Sequence, residues 1–376
     1  MNRALGIINC NMYGDLLQGI ARDRSLGAVP FGGRYRVLDF SLSSMVNSGI
    51  RTVGIIISSK NRSVLDHLGA GKEWYLDRKA GGLFILPSSN HSLNQTEGKI
   101  NLEDLARNIE LIEKDYSESV IICNSDQVLN IDFKEILNFH KSNEADSTLI
   151  YKKFNKDFHE EQGRNLSLDN CGKVSRMSYN SKLDQMDYST KYYIDIVIIK
   201  RCLLLEIVEN CKLADTISYM DLIDVIEENL GGLKVFAYPF EGYLGKIDSV
   251  FSYYKHNMDM LNPKIRKELF LMRNRIHTKI KDNPPTRYGL DAKVKNSLIS
   301  SGCYIEGTVE NSIISRGVII NKGTVIKDSI IMQKCLIGNM VSLENVILDK
   351  FVKINNGSVV KGKSLNPIVI NKKAVV

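Results

Sequence analysis

Residues 311–354 read NSIISRGVIINKGTVIKDSIIMQKCLIGNMVSLENVILDKFVKI, a stretch rich in isoleucine and valine whose apolar residues recur at a step of six. A period of six matches neither a helix nor a hairpin, but it is typical of a parallel β-helix in which every sixth residue fills the interior of a triangular coil. The repeat therefore predicts a hexapeptide solenoid, and the alternative is a β-sandwich whose spacing keeps this register by chance. The predicted interior positions are Ile313, Ile319, Val325, Ile331, Ile337 and Leu343 and, after one dropped residue, Leu348, Ile354 and Val360.

Upstream of about residue 260 short apolar runs alternate with longer amphipathic segments. Strand-like runs are ALGIIN (4–9), TVGIIIS (52–58), SVIICN (119–124), STLIY (147–151) and YYIDIVIIK (192–200). Helix-like segments are LDFSLSSMVNSG (38–49), LEDLARNIELIEK (102–114) and SYMDLIDVIEENL (218–230). This alternation predicts a Rossmann-like, doubly wound and mostly parallel α/β sheet, which binds its ligands at the carboxyl ends of the strands.

Two prolines and a glycine in NPPTRYG (283–289) mark the break between the two patterns. Because 376 residues exceed what one core usually supports, we predict a domain over 1–260, a linker over 261–289 and a β-helix over 290–376. The linker carries the densest basic stretch, Lys264 to Lys281, interrupted by apolar residues at near-helical spacing. This stretch predicts a solvated amphipathic helix, with an anion-binding or partner surface as the alternative.

The composition is that of a globular protein. The net charge of +7 is spread along the chain, whereas a nucleic-acid-binding protein normally concentrates its basic residues, so we expect no nucleic-acid partner. No apolar run is long enough to cross a bilayer and the first residues lack a basic export signal, so we expect a cytoplasmic protein. The cysteines form no CxxC pair, which predicts buried thiols rather than disulfides or a zinc site. They are Cys10, Cys123, Cys171, Cys202, Cys211, Cys303 and Cys335.

A hexapeptide solenoid occurs in acyltransferases and as the C-terminal extension of nucleotidyltransferases. Acyltransferases of this type use a histidine base on the coils. The histidines of this chain all precede residue 290, so the pattern disfavours acyl transfer. They are His67, His91, His140, His159, His256 and His277.

The segment AVPFGGRYRVLDFSLSSMVNSGI (28–50) resembles the stretch that follows the nucleotide loop in ADP-glucose pyrophosphorylases, also called glucose-1-phosphate adenylyltransferases. The resemblance covers nearly the whole chain through LDRKAGGLFILP (76–87), SDQVLNIDF (125–133), IDSVFSYYKHNMDML (247–261) and the repeat. It implies a Rossmann-like nucleotidyltransferase domain followed by a left-handed parallel β-helix, assembled as tetramers. It also implies the reaction of ATP with glucose 1-phosphate to give ADP-glucose and pyrophosphate in glycogen synthesis.

The phosphate-binding positions of that family are altered here. The family reads GGxGxRL and then KPAVP, and counting back from the AVP of this chain places the glycine pair on Asn11 and Met12, with the third glycine kept as Gly14. The loop arginine falls on Leu16 and the lysine on Leu26. Since triphosphate oxygens need closely approaching backbone N–H groups and cationic side chains, we expect this loop to bind ATP poorly.

The metal and sugar-phosphate positions are altered as well. Asp126, in NSDQV, matches the first of two aspartates that hold Mg²⁺ in the family, whereas the second falls on Tyr243 in YLGKI (243–247). One carboxylate alone rarely retains Mg²⁺, and a helix N-cap or turn role is the alternative for Asp126. The EKP motif is absent after VSRM (174–177), and the GTADA motif reads GKINL from Gly98. We therefore expect no metal and no cofactor on this chain, with Mg²⁺ and ATP bound by a catalytic partner.

These departures resemble the regulatory, noncatalytic (GlgD-type) subunits of the family, which pair with a catalytic subunit in a heterotetramer. The resemblance predicts a subunit that modulates its partner and has little or no activity alone. Two alternatives stay open: an active sugar-phosphate nucleotidyltransferase with a remodelled loop, and a sugar-nucleotide sensor that acts alone.

Three further residues are candidates for binding roles. Arg24 and Arg36 fall in register with basic residues of the effector site in catalytic relatives. We predict that they bind a phosphorylated metabolite, with framework or surface salt bridges as the alternative. We expect the lone tryptophan, Trp74, to pack near the rim of the nucleotide pocket rather than to stack on a base.

Overall fold

The computed structural model describes residues 3–11, 15–58, 61–89, 100–153, 163–180, 190–214, 217, 220–271 and 274–376. A mixed sheet with helices forms the first part of the chain, and three stacks of short parallel strands form the last part. The predicted fold class, a nucleotidyltransferase-like α/β domain followed by a hexapeptide β-helix, is confirmed.

The first domain contains the strands β1 (Ala4–Cys10), β2 (Pro30–Phe31), β3 (Tyr35–Arg36), β4 (Thr52–Ile57), β5 (Gly82–Pro87), β6 (Ser119–Asn124), β7 (Gln127–Val128), β8 (Ser147–Lys153), β9 (Gly163–Leu168), β10 (Val174–Asn180), β11 (Lys191–Lys200), β12 (Val235–Pro239) and β13 (Gly245–Lys246). The helices are α1 (Leu38–Asn47), α2 (Arg62–Leu68), α3 (Leu102–Arg107), α4 (Ile109–Lys114), α5 (Phe133–Ser142), α6 (Arg201–Leu213), α7 (Leu222–Glu228), α8 (Val250–Asp259) and α9 (Pro263–Phe270). Short 3₁₀ helices span Asp15–Ile20, Leu26–Ala28 and Lys72–Trp74.

The centre of the main sheet is parallel. Strands β5, β4, β1 and β6 lie side by side in that order, and their apolar residues are buried on both faces. Strand β11 instead runs antiparallel to both β6 and β8, so the sheet is mixed rather than mostly parallel at this edge. The described residues between β8 and β11 form the antiparallel β9–β10 pair instead of a crossover helix, and a strand returns parallel only through a crossover.

The predicted helices are present with shorter bounds. The segment 102–114 divides into α3 and α4 at Asn108, whose side-chain amide donates to the Asp104 carbonyl at 2.8 Å. Helix α7 begins at Asp221, whose carboxylate accepts the Ile223 N–H at 2.8 Å. Both breaks occur at Asn or Asp, which satisfy helix ends with their own side chains.

The C-terminal strands are β14 (Arg287–Tyr288), β15 (Lys293–Lys295), β16 (Leu298–Ile299), β17 (Tyr304–Ile305), β18 (Thr308–Glu310), β19 (Ile313–Ile314), β20 (Ile319–Ile320), β21 (Val325–Lys327), β22 (Ile330–Ile331), β23 (Leu336–Ile337), β24 (Ser342–Glu344), β25 (Val346–Leu348), β26 (Lys353–Ile354), β27 (Val359–Lys361) and β28 (Ile368–Ile370). They stack into three five-stranded sheets, the faces of the triangular coil.

The register of these coils differs from the predicted one. Ile320 pairs with Ile337, and Ile337 pairs with Ile354, so each of these coils takes 17 residues, one fewer than three steps of six. One face of every coil is therefore a residue shorter, and the slip recurs once per coil. The interior residues are Ile314, Ile320, Ile326, Ile331, Ile337, Leu343, Leu348 and Ile354.

Three of the predicted interior positions are consequently wrong. Ile313 packs in the cluster shared with the first domain rather than inside the coil, and Ile319 is 37% exposed. Val325 is only half-buried. The six-step frame is correct from Ile331 to Ile354 because the shorter face separates Ile326 from Ile331 and Leu343 from Leu348.

The PFGGRYRVLDF motif joins the two domains. Its glycine pair forms the turn of the β2–β3 hairpin, and Gly33, at φ +74°, offers its carbonyl to the Ser300 hydroxyl at 3.0 Å. Phe31 and Phe40 of the motif pack with apolar residues of the β-helix in one buried cluster. The motif is thus part of the framework that fixes the β-helix against the sheet.

The predicted linker helix is correct only in its first half. Helix α9 ends at Phe270, and from residue 274 to 286 the chain is extended. That segment is tied to α1, because Asn47 Nδ2 donates to the Arg275 carbonyl at 2.8 Å and the His277 N–H donates to Ser43 Oγ at 2.8 Å. Side chains on the sheet domain thus bind backbone groups that a helix would pair internally.

All the cysteines are free, but the prediction of buried thiols is wrong for Cys171 and Cys202, which are exposed. In the described part of the chain no helix is both long enough and apolar enough to span a bilayer.

Candidate functional site

Polar side chains gather where the parallel strands end. Asn9 of β1 donates from Nδ2 to Asn124 Oδ1 of β6 at 3.2 Å, and the Asn9 carbonyl accepts the Ser125 N–H at 3.0 Å. The Asn9 amide oxygen also accepts the backbone N–H of Asn11 at 3.1 Å. This edge of the sheet is where a doubly wound fold binds its ligand.

The side chain of Asn11 lies across this edge. Its Nδ2 donates to Ser88 Oγ at 2.5 Å and to Asp104 Oδ2 at 3.3 Å, while Asp104 Oδ1 accepts the Ser89 N–H at 2.5 Å. Asn11 therefore ties the end of β1 to the segment after β5 and to α3. A glycine at this position would leave the backbone open to a phosphate, whereas here a side chain already occupies the approach.

The other loop positions divide into one that the structure describes and three that it does not. Leu26 is 3% exposed and packs with Leu17, Ile20 and Phe31 in the apolar cluster between the domains. Its side chain therefore belongs to a hydrophobic core rather than to a phosphate pocket. Met12 and Gly14, and the side chain of Leu16, lie outside the described residues, as do Gly98, His91 and His159.

Asp126 follows β6 and is 1% exposed. Its carbonyl accepts the Ile247 N–H at 2.8 Å, and its Oδ1 finds no hydrogen-bond partner among the described residues. Burial raises the pKa of the Asp126 carboxyl to about 7, and the charge of Asp195 raises it further while Lys246 opposes the rise. Because β7 rather than a helix comes next, Asp126 is not a helix N-cap.

Tyr243, at the position of the second metal aspartate, does not face Asp126 as a ligand would. Its hydroxyl donates to Asp259 Oδ2 at 2.8 Å and lies 2.8 Å from His256 Nδ1, both on α8. Burial raises the pKa of this phenol, so it stays protonated. The described residues offer no group of three or more His, Cys, Asp or Glu placed to hold a metal ion. The donor set therefore does not fit the two-aspartate Mg²⁺ site that the family implies.

A second pocket lies between the sheet domain and the β-helix. The charged residues that line it are mostly basic and come from the β2–β3 hairpin, the extended linker and the coils; they are Arg34, Arg36, His67, Lys279, Lys281, Arg316 and Lys350. Burial lowers the pKa of Arg36 to about 10 and, with help from Arg36 and Arg24, lowers the pKa of Lys350 to about 7. So many buried cations in one place favour binding of a multiply charged anion.

The structure separates the two arginines predicted to bind an effector. Arg36 lines the basic pocket and donates to Ser63 Oγ at 2.8 Å. Arg24 does not line it, because its buried guanidinium pairs with the buried carboxylate of Asp349 in the β-helix. The framework alternative therefore describes the geometry of Arg24, and the anion role stays a prediction for Arg36.

Trp74 is fully buried and packs edge-on against His67, with ring centroids 5.6 Å apart. It has no exposed face on which a base could stack. Its neighbours are those of the basic pocket rather than of the strand ends, so the predicted place at the nucleotide-pocket rim is wrong.

Sequence reasoning missed several residues of the basic pocket. Lys279 and Lys281 lie in the basic linker stretch, for which an anion surface was the alternative prediction. Arg316 and Lys350 carry no local signal, since each sits singly within the apolar repeat.

Comparison with known proteins agrees with this architecture. The family described as Nucleotidyl transferase matches residues 13–163, and the one described as GlmU-like, C-terminal hexapeptide matches residues 284–365. The "Glycogen biosynthesis protein GlgD" of Bacillus subtilis (strain 168) is 36% identical over 374 residues, covering 100% of this chain and 97% of that protein. The "Glucose-1-phosphate adenylyltransferase" of Clostridium perfringens (strain 13 / Type A) is 32% identical over 378 residues, covering 96% and 93%.

The chain belongs to the glucose-1-phosphate adenylyltransferase family. A second GlgD protein, from Geobacillus stearothermophilus, is 37% identical over 325 residues, covering 86% of this chain and 83% of that protein. Within this family, the chain shares its name-giving resemblance with glycogen biosynthesis proteins called GlgD as well as with adenylyltransferases.

Proposed function

We propose that this chain is the regulatory, catalytically degraded subunit of a cytoplasmic glucose-1-phosphate adenylyltransferase. It modulates a catalytic subunit that joins ATP and glucose 1-phosphate into ADP-glucose and pyrophosphate for glycogen synthesis. The two subunits form a hetero-oligomer, most simply a heterotetramer. The similarity to proteins named GlgD over the whole chain supports this proposal.

One observation carries the proposal: the positions that should bind phosphate are occupied by groups that cannot. Leu26 is buried in an apolar cluster where the family has a lysine, and the Asn11 side chain blocks the backbone approach. Preorganised cations and N–H donors supply much of the stabilisation in a phosphoryl-type transition state, so their loss acts on the chemical step itself. ATP and Mg²⁺ are accordingly bound by the catalytic partner.

The basic pocket supplies the regulatory half of the proposal. It combines residues of both domains, so an anion bound there bridges the sheet domain and the β-helix. A phosphorylated metabolite fits this chemistry because it carries several negative charges on tetrahedral oxygens. Binding at such a junction changes how the β-helix sits against the sheet domain, and so can alter the partner.

Pyrophosphate release tests the proposed function directly. The purified chain alone is expected to be at least about 1,000-fold slower than a catalytic homologue with intact GGxGxRL and KPAVP motifs, because removal of even one transition-state donor costs about 10²–10³ in rate. After mixing, the rate or the effector response of the homologue should change. A mixture with an unrelated hexapeptide protein is the control.

Each other outcome points to a different function. Full activity of the chain alone supports the active enzyme with a remodelled loop. Ligand binding with no effect on any catalytic homologue supports the solitary sensor.

Sulfate binding to the basic pocket should weaken as the pH rises above 7. The Lys350 ammonium has a pKa of about 7 in the free protein, so above that pH the lysine is neutral and must take up a proton to meet the anion. We expect the affinity to fall by up to about tenfold per pH unit between pH 7 and 8.5. Calorimetric titration with sulfate, whose own charge is constant in this range, measures it.

The Lys350→Ala variant should bind sulfate more weakly at pH 6.5 and lose most of the pH dependence. Lys353→Ala, an exposed lysine three residues away in the same β-helix, is the matched control and should behave like the unmodified chain. An unchanged pH slope in Lys350→Ala would remove Lys350 from the site.

A further inference from the structure

A lysine lies inside the acidic end of the degraded active site. Lys246 of β13 is opposite Gln127 of β7 in an antiparallel pair, which places it beside Asp126. The next residue, Ile247, donates its N–H to the Asp126 carbonyl at 2.8 Å. The Lys246 side chain is only 15% exposed, so its ammonium is directed into the protein rather than into water.

The partner of this ammonium comes from an irregular point in the sheet. Asp195 has a φ of +54° at the place where β11 shifts register between Tyr193 and Val197. Positive φ is uncommon for a residue with a side chain, although aspartate tolerates it better than most. Lys246 Nζ lies 3.0 Å from Asp195 Oδ2 and 3.3 Å from the Tyr192 hydroxyl.

Negative charge is concentrated around this lysine. Asp195 and Asp248 both act on Asp126 as like charges, and Lys246 is the cation that opposes them. Asp126 is almost fully buried, and its Oδ1 has no hydrogen-bond donor within the described residues. A buried carboxylate oxygen without a donor is costly unless a positive charge stands near it.

We propose that the Lys246 ammonium is the resident cation of this cluster and replaces the divalent metal ion that nucleotidyl transfer by the family requires. The inference deepens the proposed function, because it gives a physical reason why this chain carries no Mg²⁺. Two changes are needed for that loss: the second aspartate position has become Tyr243, and a tethered cation has entered between Asp126 and Asp195. A tethered ammonium neutralises the carboxylates permanently and repels any second cation.

Removing the ammonium should open the cluster to a divalent ion. In Lys246→Ala, Asp126 and Asp195 lose their neutralising charge and can offer carboxylate oxygens, with water completing the coordination shell as Mg²⁺ and Mn²⁺ accept. We expect the variant to bind Mn²⁺ at least about tenfold more tightly than the unmodified chain. Electron paramagnetic resonance of free Mn²⁺ during a titration of the full-length protein measures this.

Two controls separate this effect from a general loss of positive charge. Lys200→Ala removes the ammonium of another ion pair, Lys200 with Asp146 at 2.7 Å, and should leave Mn²⁺ binding unchanged. Lys246→Ala combined with Asp195→Asn should lose the gain. If Lys246→Ala fails to fold by circular dichroism, Lys246→Ser, which keeps a polar group in the cavity, takes its place.

The outcomes distinguish this inference from the proposed function. If neither the unmodified chain nor the Lys246 variants bind Mn²⁺, the inference is overturned and the regulatory proposal stands. If the unmodified chain binds Mn²⁺ as tightly as the variants, both the inference and the metal-free part of the proposed function are overturned.

Discussion

Replacing Asp349 with alanine is expected to lower the free energy of unfolding by about 3–5 kcal/mol, because it leaves the buried Arg24 guanidinium without its counter-charge. Arg24 is 4% exposed and Asp349 is fully buried, so water cannot compensate. The second Asp349 oxygen also accepts the Lys350 N–H at 2.7 Å, and that bond is lost as well. Urea denaturation followed by circular dichroism measures the change.

A pair on the surface of the same β-helix gives the matched control. Glu344 and Lys361 are 3.7 Å apart with side chains 42% and 59% exposed, so Glu344→Ala should cost less than about 1 kcal/mol. The double variant Arg24→Met with Asp349→Leu should be more stable than Asp349→Ala, since no charge is left buried alone. Equal losses from Asp349→Ala and Glu344→Ala would show that the Arg24–Asp349 pair does not hold the domains together.

This ion pair also shows why the role of Arg24 could not be read from sequence. Its register matched an effector residue of catalytic relatives, but a side chain's role depends on what it meets in the fold. The residue it meets, Asp349, is 325 positions away in the chain. Asp349 lies within the apolar repeat and gives no local signal that it is buried.

Elements whose cause is local were predicted well. Apolar runs such as SVIICN (119–124) and the six-step repeat lie in the chain order that builds them, and the structure contains both. The direction of β11 was not predictable from its composition, because it is set by the strands before it. The coil length of 17 residues escaped for a related reason: a period of six is visible in the sequence, whereas a missing residue at each third face reads as a single slip.

The candidate site follows the same division. The loss of phosphate contacts at Asn11 and Leu26 was predicted from register, and the structure adds what their side chains do instead. The Lys246–Asp195 pair was missed because its members come from two strands that are distant in sequence. Tertiary position alone gives this lysine a meaning, so an isolated charge in a strand pattern is a weak signal until the strands are paired.

The β-helix register gives the second large prediction. Ile320→Ala is expected to lower the free energy of unfolding by about 2–5 kcal/mol, because it leaves a cavity inside the coil, where Ile320 is fully buried. Ile319→Ala, one position away on the same strand, should cost about 1 kcal/mol or less, since Ile319 is 37% exposed and loses mainly strand propensity. Urea denaturation followed by far-ultraviolet circular dichroism compares the two variants.

This pair of variants decides between two frames. An unbroken six-step register puts Ile319 inside and Ile320 outside, so it predicts the reverse order of stabilities. Both variants remove the same atoms from the same two-residue strand, β20, so composition and strand propensity cancel in the comparison. A larger loss for Ile319→Ala, or equal losses, would contradict the 17-residue coil, and with it the placement of Ile313 at the contact with the sheet domain rather than in the coil interior.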